Sequence, residues 1–217
     1  MNYLYHIVFI LVGIIMSGSL FLKKGTPTFL KAFCPFLSIS IIVEVIGVYL
    51  SERSIHNIPL YNVFGLVEFC FYIWVLRELI SGEKVKKLIF GLLIIFPTVS
   101  ILDMTVIQGI NSFNSVTYSL GCLFTIFLSM FYFLELFRKD ENFRLNTNPA
   151  FWICTALLFY YSVSFPVFVS ANLMKNFTPK IGNYIAYAVM ILNIIFYSLF
   201  CVAFYCQLKY HSNKTTT

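Results

Sequence analysis

Seven apolar stretches, each about 20 residues long or longer, limit most strongly what this chain can fold into. A membrane-crossing helix needs about 20 mostly apolar residues, because every backbone polar group in lipid must be satisfied within its own segment. The chain is 59% hydrophobic and 11% charged, whereas soluble domains are about 25% charged. We therefore predict an all-α integral membrane protein, a seven-helix bundle. The predicted spans are 2–22, 29–50, 61–80, 88–107, 115–137, 150–174 and 183–207.

The segments between the spans are short and carry no recognisable chemical motif. They contain no glycine-rich phosphate-binding loop and no metal-ligand spacing, and the six cysteines lie inside spans without CxxC spacing. Such cysteines are typical of small buried packing residues. We therefore predict one transmembrane domain over residues 1–207 and an unstructured cytoplasmic tail over 208–217, with no cofactor and no metal site.

The positively charged residues are distributed unevenly between the two sides of the predicted bundle. Lysine and arginine are enriched in cytoplasmic loops, and a wrong span count would scramble their distribution. Only Arg53, Lys175 and Lys180 of the 15 fall on the other side, so we predict an outside amino terminus and a cytoplasmic carboxy terminus. The basic residues then face anionic lipid headgroups, and their scatter over short loops argues against direct nucleic-acid binding. Those on the cytoplasmic side are Lys23, Lys24, Lys31, Arg77, Lys84, Lys86, Lys87, Arg138, Lys139, Arg144, Lys209 and Lys214.

Four acidic residues lie inside predicted spans, where a charge costs about 2.5 to 3.5 kcal/mol on insertion scales. Asp103 and Glu135 are near span ends, and we expect both at the membrane interface. Glu44 lies about 9 Å and Glu68 about 12 Å from the outer ends of helices 2 and 3, at 1.5 Å per residue. These two carboxyl groups therefore have nearly the same depth.

Further polar side chains fall in the same outer half and complete a candidate ligand-binding site. Two carboxyls facing each other in low dielectric cannot both ionise cheaply, so either one is protonated or a cation lies between them. Alternatively, each acid is hydrogen-bonded to a neighbouring side chain and contributes about 0.6 to 2 kcal/mol of interhelical stabilisation. Spacing leaves open whether the two face one another. The candidate site residues are Glu44, Glu68, Asn62, Asn172, Asn193, Tyr160 and Tyr161.

The sixth span contains several polar residues and a proline. Pro166 removes one backbone hydrogen bond and can kink the helix. Ser162 is placed to bind the freed carbonyls, which would make the polar residues structural. The other interpretation is that the kink opens a cavity lined by Tyr160 and Tyr161.

Three stretches of the sequence are similar to a known group of proteins. They are "YNVFGLVEFCFY" with Glu68, "NPAFWICTALLFYYS" with Phe151 and Trp152, and "ILNIIFYSLFCVAFYCQLK" with Asn193 and Gln207. They resemble small seven-helix membrane proteins of Bacteroidota, whose members often occur beside, or fused to, sensor histidine kinases. This resemblance implies a location in a bacterial inner membrane. It also implies a signalling role through a separate kinase, because the chain contains no kinase domain of its own.

Three functions fit these observations. The first is a sensory module whose outer-half polar pocket binds a small ligand and whose signal a cytoplasmic partner reads. The second is a homo-oligomeric membrane effector or accessory protein of an antiviral or CRISPR-type system. The third, a lipid-directed intramembrane enzyme, is disfavoured because no nucleophile or metal set accompanies the two carboxyls.

Reporter fusions test the predicted orientation directly. A fluorescent protein that folds only in the cytoplasm should be bright when fused after Thr217 or inserted between the third and fourth spans, since those positions lie on the positively charged side. The same reporter should be dark between the second and third spans. A bright fusion at that position would contradict the orientation.

Overall fold

Helices account for the regular structure in the computed structural model of the chain, which describes residues 5–138, 145–169 and 179–215. The prediction of an all-α fold is confirmed for these residues. A π-helical turn, Asp103–Ile107, continues the fourth helix, and a 3₁₀ turn, Leu145–Thr147, precedes the sixth. The helices are α1 (Tyr5–Phe21), α2 (Thr28–Glu52), α3 (Ile58–Leu79), α4 (Glu83–Leu102), α5 (Ser115–Phe137), α6 (Pro149–Val169) and α7 (Pro179–Thr215).

Six stretches within these helices are long and apolar enough to cross a membrane, as expected of a multi-pass membrane protein. They belong to α2 to α7, with α4 counted together with its π-helical turn. Helix α1 has 17 residues, which corresponds to about 25 Å at 1.5 Å per residue, somewhat less than the hydrocarbon thickness. Helix α7 continues to Thr215, so the prediction of an unstructured tail is wrong for residues 208–215. The polar residues there extend the last span by two turns instead of ending it.

The outward surface of the bundle is strongly apolar. Ile15 and Val106 are 73% and 75% exposed, and many other large aliphatic and aromatic side chains are also exposed. Contiguous apolar surface of this kind is rare on soluble monomers, but it matches the apolar environment of lipid tails. The end that holds the α2–α3 and α4–α5 turns is called the outer end below, and the opposite end the inner end, following the predicted orientation.

Helix α3 lies at the centre of the packing and contacts its neighbours through aromatic side chains. Phe69 packs against Phe96 of α4 at 5.8 Å between ring centroids, and against Tyr118 of α5 at 5.3 Å. Tyr72, one turn further on, packs against α2, α6 and α7. Edge-to-face aromatic pairs contribute about 0.5 to 1.5 kcal/mol beyond the burial of their area. The side chains of α3 are therefore held in place by contacts to five other helices.

Glycine allows the closest approach between α3 and α5. A Cβ atom at Gly121 would lie 2.5 Å from the Phe69 ring, well inside van der Waals contact. Small residues commonly permit this approach at interfaces between membrane helices. Gly91 of α4 offers a contrast, because a Cβ atom there would meet no atom within 4 Å.

We predict that Gly121→Ala destabilises the bundle by about 1 to 3 kcal/mol, because the added methyl group must displace the Phe69 ring. For a chain of this size each kcal/mol lowers the melting temperature by about 2 to 4 °C. Thermal unfolding in detergent measures the change. Gly91→Ala is the control and should leave the melting temperature unchanged or raise it slightly. Equal melting temperatures for the two variants would contradict this packing.

Candidate functional site

A cavity of about 360 Å³ brings both membrane-embedded glutamates together. Glu44 from α2 and Glu68 from α3 line it, and Asn193 from α7 contributes an amide group. Its remaining walls are mainly aromatic and come from α3, the start of α5, α6 and α7. The other lining residues are Ile58, Tyr61, Phe64, Gly65, Phe113, Tyr118, Tyr160, Phe168, Val189 and Tyr197.

Helical periodicity explains why these side chains share one face. On α3, residues 61, 65, 68 and 72 recur at intervals of three or four and so lie on one side of the helix. On α7, residues 189, 193 and 197 recur at intervals of four. Since α2 and α3 are joined by a short turn, Glu44 and Glu68 lie at similar distances from it, as their spacing predicted. Their carboxyl groups are close enough to interact electrostatically.

Glu44 lies near a histidine of another helix within the bundle. The Nε2 atom of His6 on α1 lies 3.9 Å from the Glu44 Oε2 atom. His6 is buried, with 6% of its surface exposed, and its ring stacks on Tyr197 of the cavity wall at 6.3 Å between centroids. The candidate site residues predicted from the sequence did not include His6. Its proximity to Glu44 depends on how α1 docks, which spacing within α1 does not encode.

Glu68 faces hydroxyl groups instead of a basic residue. Its carboxyl interacts with the hydroxyls of Tyr161 on α6 and Tyr72 on α3. Both tyrosines are 0% exposed, and neither hydroxyl has a hydrogen-bond partner within 3.5 Å among the described residues. Buried hydroxyls normally have a hydrogen-bond partner. Each of these two hydroxyls can therefore still form a hydrogen bond, and the group beside both of them is the Glu68 carboxyl.

The bundle is densely packed on the inner side of Glu68. Tyr72 lies one helical turn below Glu68 and contacts Phe196 and Phe200 of α7. Phe33 of α2 packs against Phe200 at 5.0 Å and against Phe204 at 5.4 Å. All five of these rings are at most 1% exposed. This aromatic layer closes the bundle between the cavity and the inner end.

The remaining predicted site residues have different surroundings. Tyr160 lines the cavity, whereas Tyr161 lies behind its wall against Glu68. Asn62 does not line it: its amide nitrogen donates to the carbonyls of Ile110 at 3.0 Å and Ser112 at 2.7 Å. Asn62 thereby holds the α4–α5 turn against the outer end of α3. Asn172 lies outside the described residues.

The other two acidic residues have structural roles. Asp103, which was predicted near the membrane interface, is enclosed by protein: it is 0% exposed, and its Oδ2 accepts hydrogen bonds from the Thr117 hydroxyl at 2.6 Å and backbone N–H at 3.3 Å. The π-helical turn and the start of α5 enclose it. Glu135 accepts hydrogen bonds from the backbone N–H groups of Ser81 at 2.7 Å and Gly82 at 3.1 Å. It thus ties the inner end of α5 to the start of α4.

The polar residues of α6 divide between two faces of that helix. Tyr160 and Tyr161 point toward the cavity side, whereas Thr155 and Ser162 line an outward-facing apolar groove between α5 and α6. The Thr155 hydroxyl donates to the carbonyl of Phe151 at 2.8 Å, one turn earlier. This bond satisfies the hydroxyl within its own helix, as is common in membranes.

The chemistry offered by the cavity is that of binding. Its lining combines two carboxyls and one amide with many aromatic rings, and it includes no serine, cysteine or histidine among the described residues. No group of three or more His, Cys, Asp or Glu that could hold a metal occurs in the described part of the chain. Carboxylates and aromatic faces together favour recognition of a polar or charged small molecule.

Comparison with known proteins gives no further information about this cavity. No protein-family model, no curated protein and no solved structure matches the chain significantly.

Proposed function

We propose that this chain is a membrane-embedded sensory module that binds a small ligand in the cavity between Glu44 and Glu68 and acts through a partner protein. The observation that carries the proposal is the shared cavity itself. Its volume of about 360 Å³ falls within the range of small-molecule pockets, about 300 to 1,000 Å³. Ionisable residues inside a bilayer are costly, and when they converge on a cavity they commonly mark a functional site.

The aromatic layer on the inner side of Glu68 favours ligand binding over transport of a molecule through the bundle. Pores and transport pathways require a polar route that continues toward both ends of the bundle. Below Glu68, the fully buried rings of Tyr72, Phe200 and Phe204 leave no such route through the described part of the bundle. A ligand that enters from the outer end would therefore bind and leave on the same side, as a sensed molecule does.

The helices that form the cavity also reach the inner end, which gives binding a route to the cytoplasm. Helices α2, α3, α6 and α7 contribute walls, and α2 and α6 contain Pro35 and Pro166 within the helix. Each proline removes a backbone hydrogen bond and permits a change in helix bend. We infer that such movement alters the basic inner turns.

A cytoplasmic partner, for which a histidine kinase is our first candidate, would read this change. This part of the proposal rests on the resemblance to kinase-associated seven-helix proteins and on the predicted orientation in the inner membrane, with seven spans. The alternative of an oligomeric effector draws support from the apolar groove between α5 and α6, which offers contact area for a second copy.

Filling the cavity tests the proposal whatever the chemical identity of the ligand. A Cβ atom at Gly65, which lines the cavity, would meet no atom within 4 Å, so the Cβ of Gly65→Leu causes no clash and its longer side chain adds volume at the cavity wall. We predict that the wild-type protein in lipid nanodiscs is stabilised by some member of a panel of small cations, anions and neutral polar solutes. Gly65→Leu should abolish that stabilisation, whereas Gly91→Leu, on α4 and away from the cavity, should retain it.

Hydrogen–deuterium exchange then separates sensing from binding alone. Binding at the outer cavity should change exchange at the inner turns, residues 22–27 and 80–82, if the helices transmit the signal. A ligand that binds at the cavity without altering exchange there would contradict the sensory function. Equal binding by Gly65→Leu and wild type would contradict the site.

A further inference from the structure

We propose that the cavity recognises a small organic cation, namely a protonated amine that carries an apolar body, with Glu68 as its counter-ion. This inference rests on the proposed function, because it names the class of ligand for the same cavity. It follows from three independent features of the cavity: its charge, its hydrogen-bonding groups and its aromatic walls.

The charges around the cavity are unequal. Glu44 and Glu68 both line it, and His6 lies near Glu44. Among the residues that the structure describes, no lysine, arginine or histidine lies within 4.0 Å of the Glu68 carboxyl. A carboxylate buried in low dielectric is strongly disfavoured unless it is paired. One positive charge supplied by a ligand would balance Glu68, whereas an anion would be repelled by both acids.

The hydrogen-bonding groups suit a donor. An ammonium group has three N–H donors and no acceptor. The Glu68 carboxylate accepts hydrogen bonds, and the buried hydroxyls of Tyr72 and Tyr161 beside it have no other partner among the residues described. The Asn193 side chain offers an amide oxygen on the opposite wall. Glu44, Glu68 and Asn193 line the cavity and are therefore the acceptors that it presents to a ligand, whereas the two tyrosine hydroxyls lie behind the wall and support the Glu68 carboxylate.

The aromatic walls suit both parts of such a ligand. Tyr160 packs on Phe196 with 4.3 Å between centroids, and Tyr118 packs on Phe168 at 4.8 Å, so these rings are held in fixed positions. A cation over an aromatic face is attracted by the negative face of the ring, more strongly where water is excluded. The remaining rings provide an apolar surface for the rest of the ligand.

Two other ligand classes fit less well. A divalent cation such as Ca²⁺ needs six to eight oxygen ligands, and the described residues contain no cluster of three or more metal-binding side chains. A neutral polar molecule would satisfy hydrogen bonds but would form no ion pair with Glu68. An amine with an apolar body satisfies all three features at once.

Matched probes test the charge requirement. We would measure binding of 2-phenylethylammonium, its neutral analogue 2-phenylethanol and its anionic analogue phenylacetate to the full chain in zwitterionic nanodiscs. Isothermal titration and thermal shift are the readouts, with protein-free nanodiscs subtracted to remove partitioning into lipid. We expect saturable binding of the ammonium, at least tenfold tighter than binding of either analogue. Equal or tighter binding of the alcohol would overturn the proposal.

Variants then test the counter-ion. Glu68→Gln should weaken ammonium binding at least tenfold, because it keeps size and hydrogen bonding but removes the charge. Glu52→Gln is the control, since Glu52 is exposed at the end of α2; it should bind as the wild type does. If Glu68→Gln does not fold, Asn193→Leu decides instead: loss of its amide oxygen from the cavity should weaken binding of the ammonium several-fold, and more than it weakens binding of 2-phenylethanol.

A folded Glu68→Gln protein with wild-type affinity for the ammonium would overturn the proposal. These results are separable from those for the proposed function. A neutral or anionic member of the wider panel that binds in the cavity and alters exchange at the inner turns would refute the amine as ligand and leave the sensory function standing. Ammonium binding that leaves exchange at the inner turns unchanged would refute the sensory function and leave the amine as the ligand.

Discussion

The central constraint on this structure is the burial of acidic side chains inside a helical bundle whose outer surface contacts lipid. Hydrocarbon offers a carboxylate no hydrogen bond and no counter-charge, so each acid must face the protein interior. One oxygen of Asp103 and both oxygens of Glu135 accept hydrogen bonds from hydroxyl or backbone donors of neighbouring segments. Glu44 and Glu68 instead converge on one cavity. The requirement that keeps the acids out of lipid thus also brings these two together.

Aromatic packing makes this convergence specific. Because α3 contacts its neighbours through Phe69 and Tyr72, the face of α3 that carries Glu68 is fixed in rotation. The contact of Phe69 with Gly121 sets the separation of α3 and α5. The rings that position Glu68 also close the bundle on its inner side. The cavity is therefore bounded by aromatic rings at its inner end and has a polar wall. A ligand in this cavity would contact the central helix at Glu68.

The sequence predicted the helices and the common depth of Glu44 and Glu68, because span length and rise per residue depend on local chain properties alone. The sequence did not predict which faces of the helices contact one another. In a soluble helix, polar and apolar faces differ and reveal the buried side. Here lipid-facing and interior side chains are both apolar, so this contrast is lost. The proximity of His6 to Glu44, the burial of Asp103 and the use of Asn62 to hold the α4–α5 turn all depend on helix rotation and docking, which only the tertiary structure gives.

A double-mutant cycle on the two glutamates tests most directly whether they share one site. Glu44→Gln, Glu68→Gln and the double variant are each unfolded by titration with sodium dodecyl sulfate, and their free energies of unfolding are compared. If the carboxyls interact across the cavity, the double variant should differ from the sum of the single variants by more than about 0.5 kcal/mol, because removing one charge changes the environment of the other. The pair Glu52→Gln and Glu68→Gln, whose carboxyls lie in separate places, should be additive. Additivity of Glu44→Gln and Glu68→Gln within about 0.3 kcal/mol would contradict the shared site.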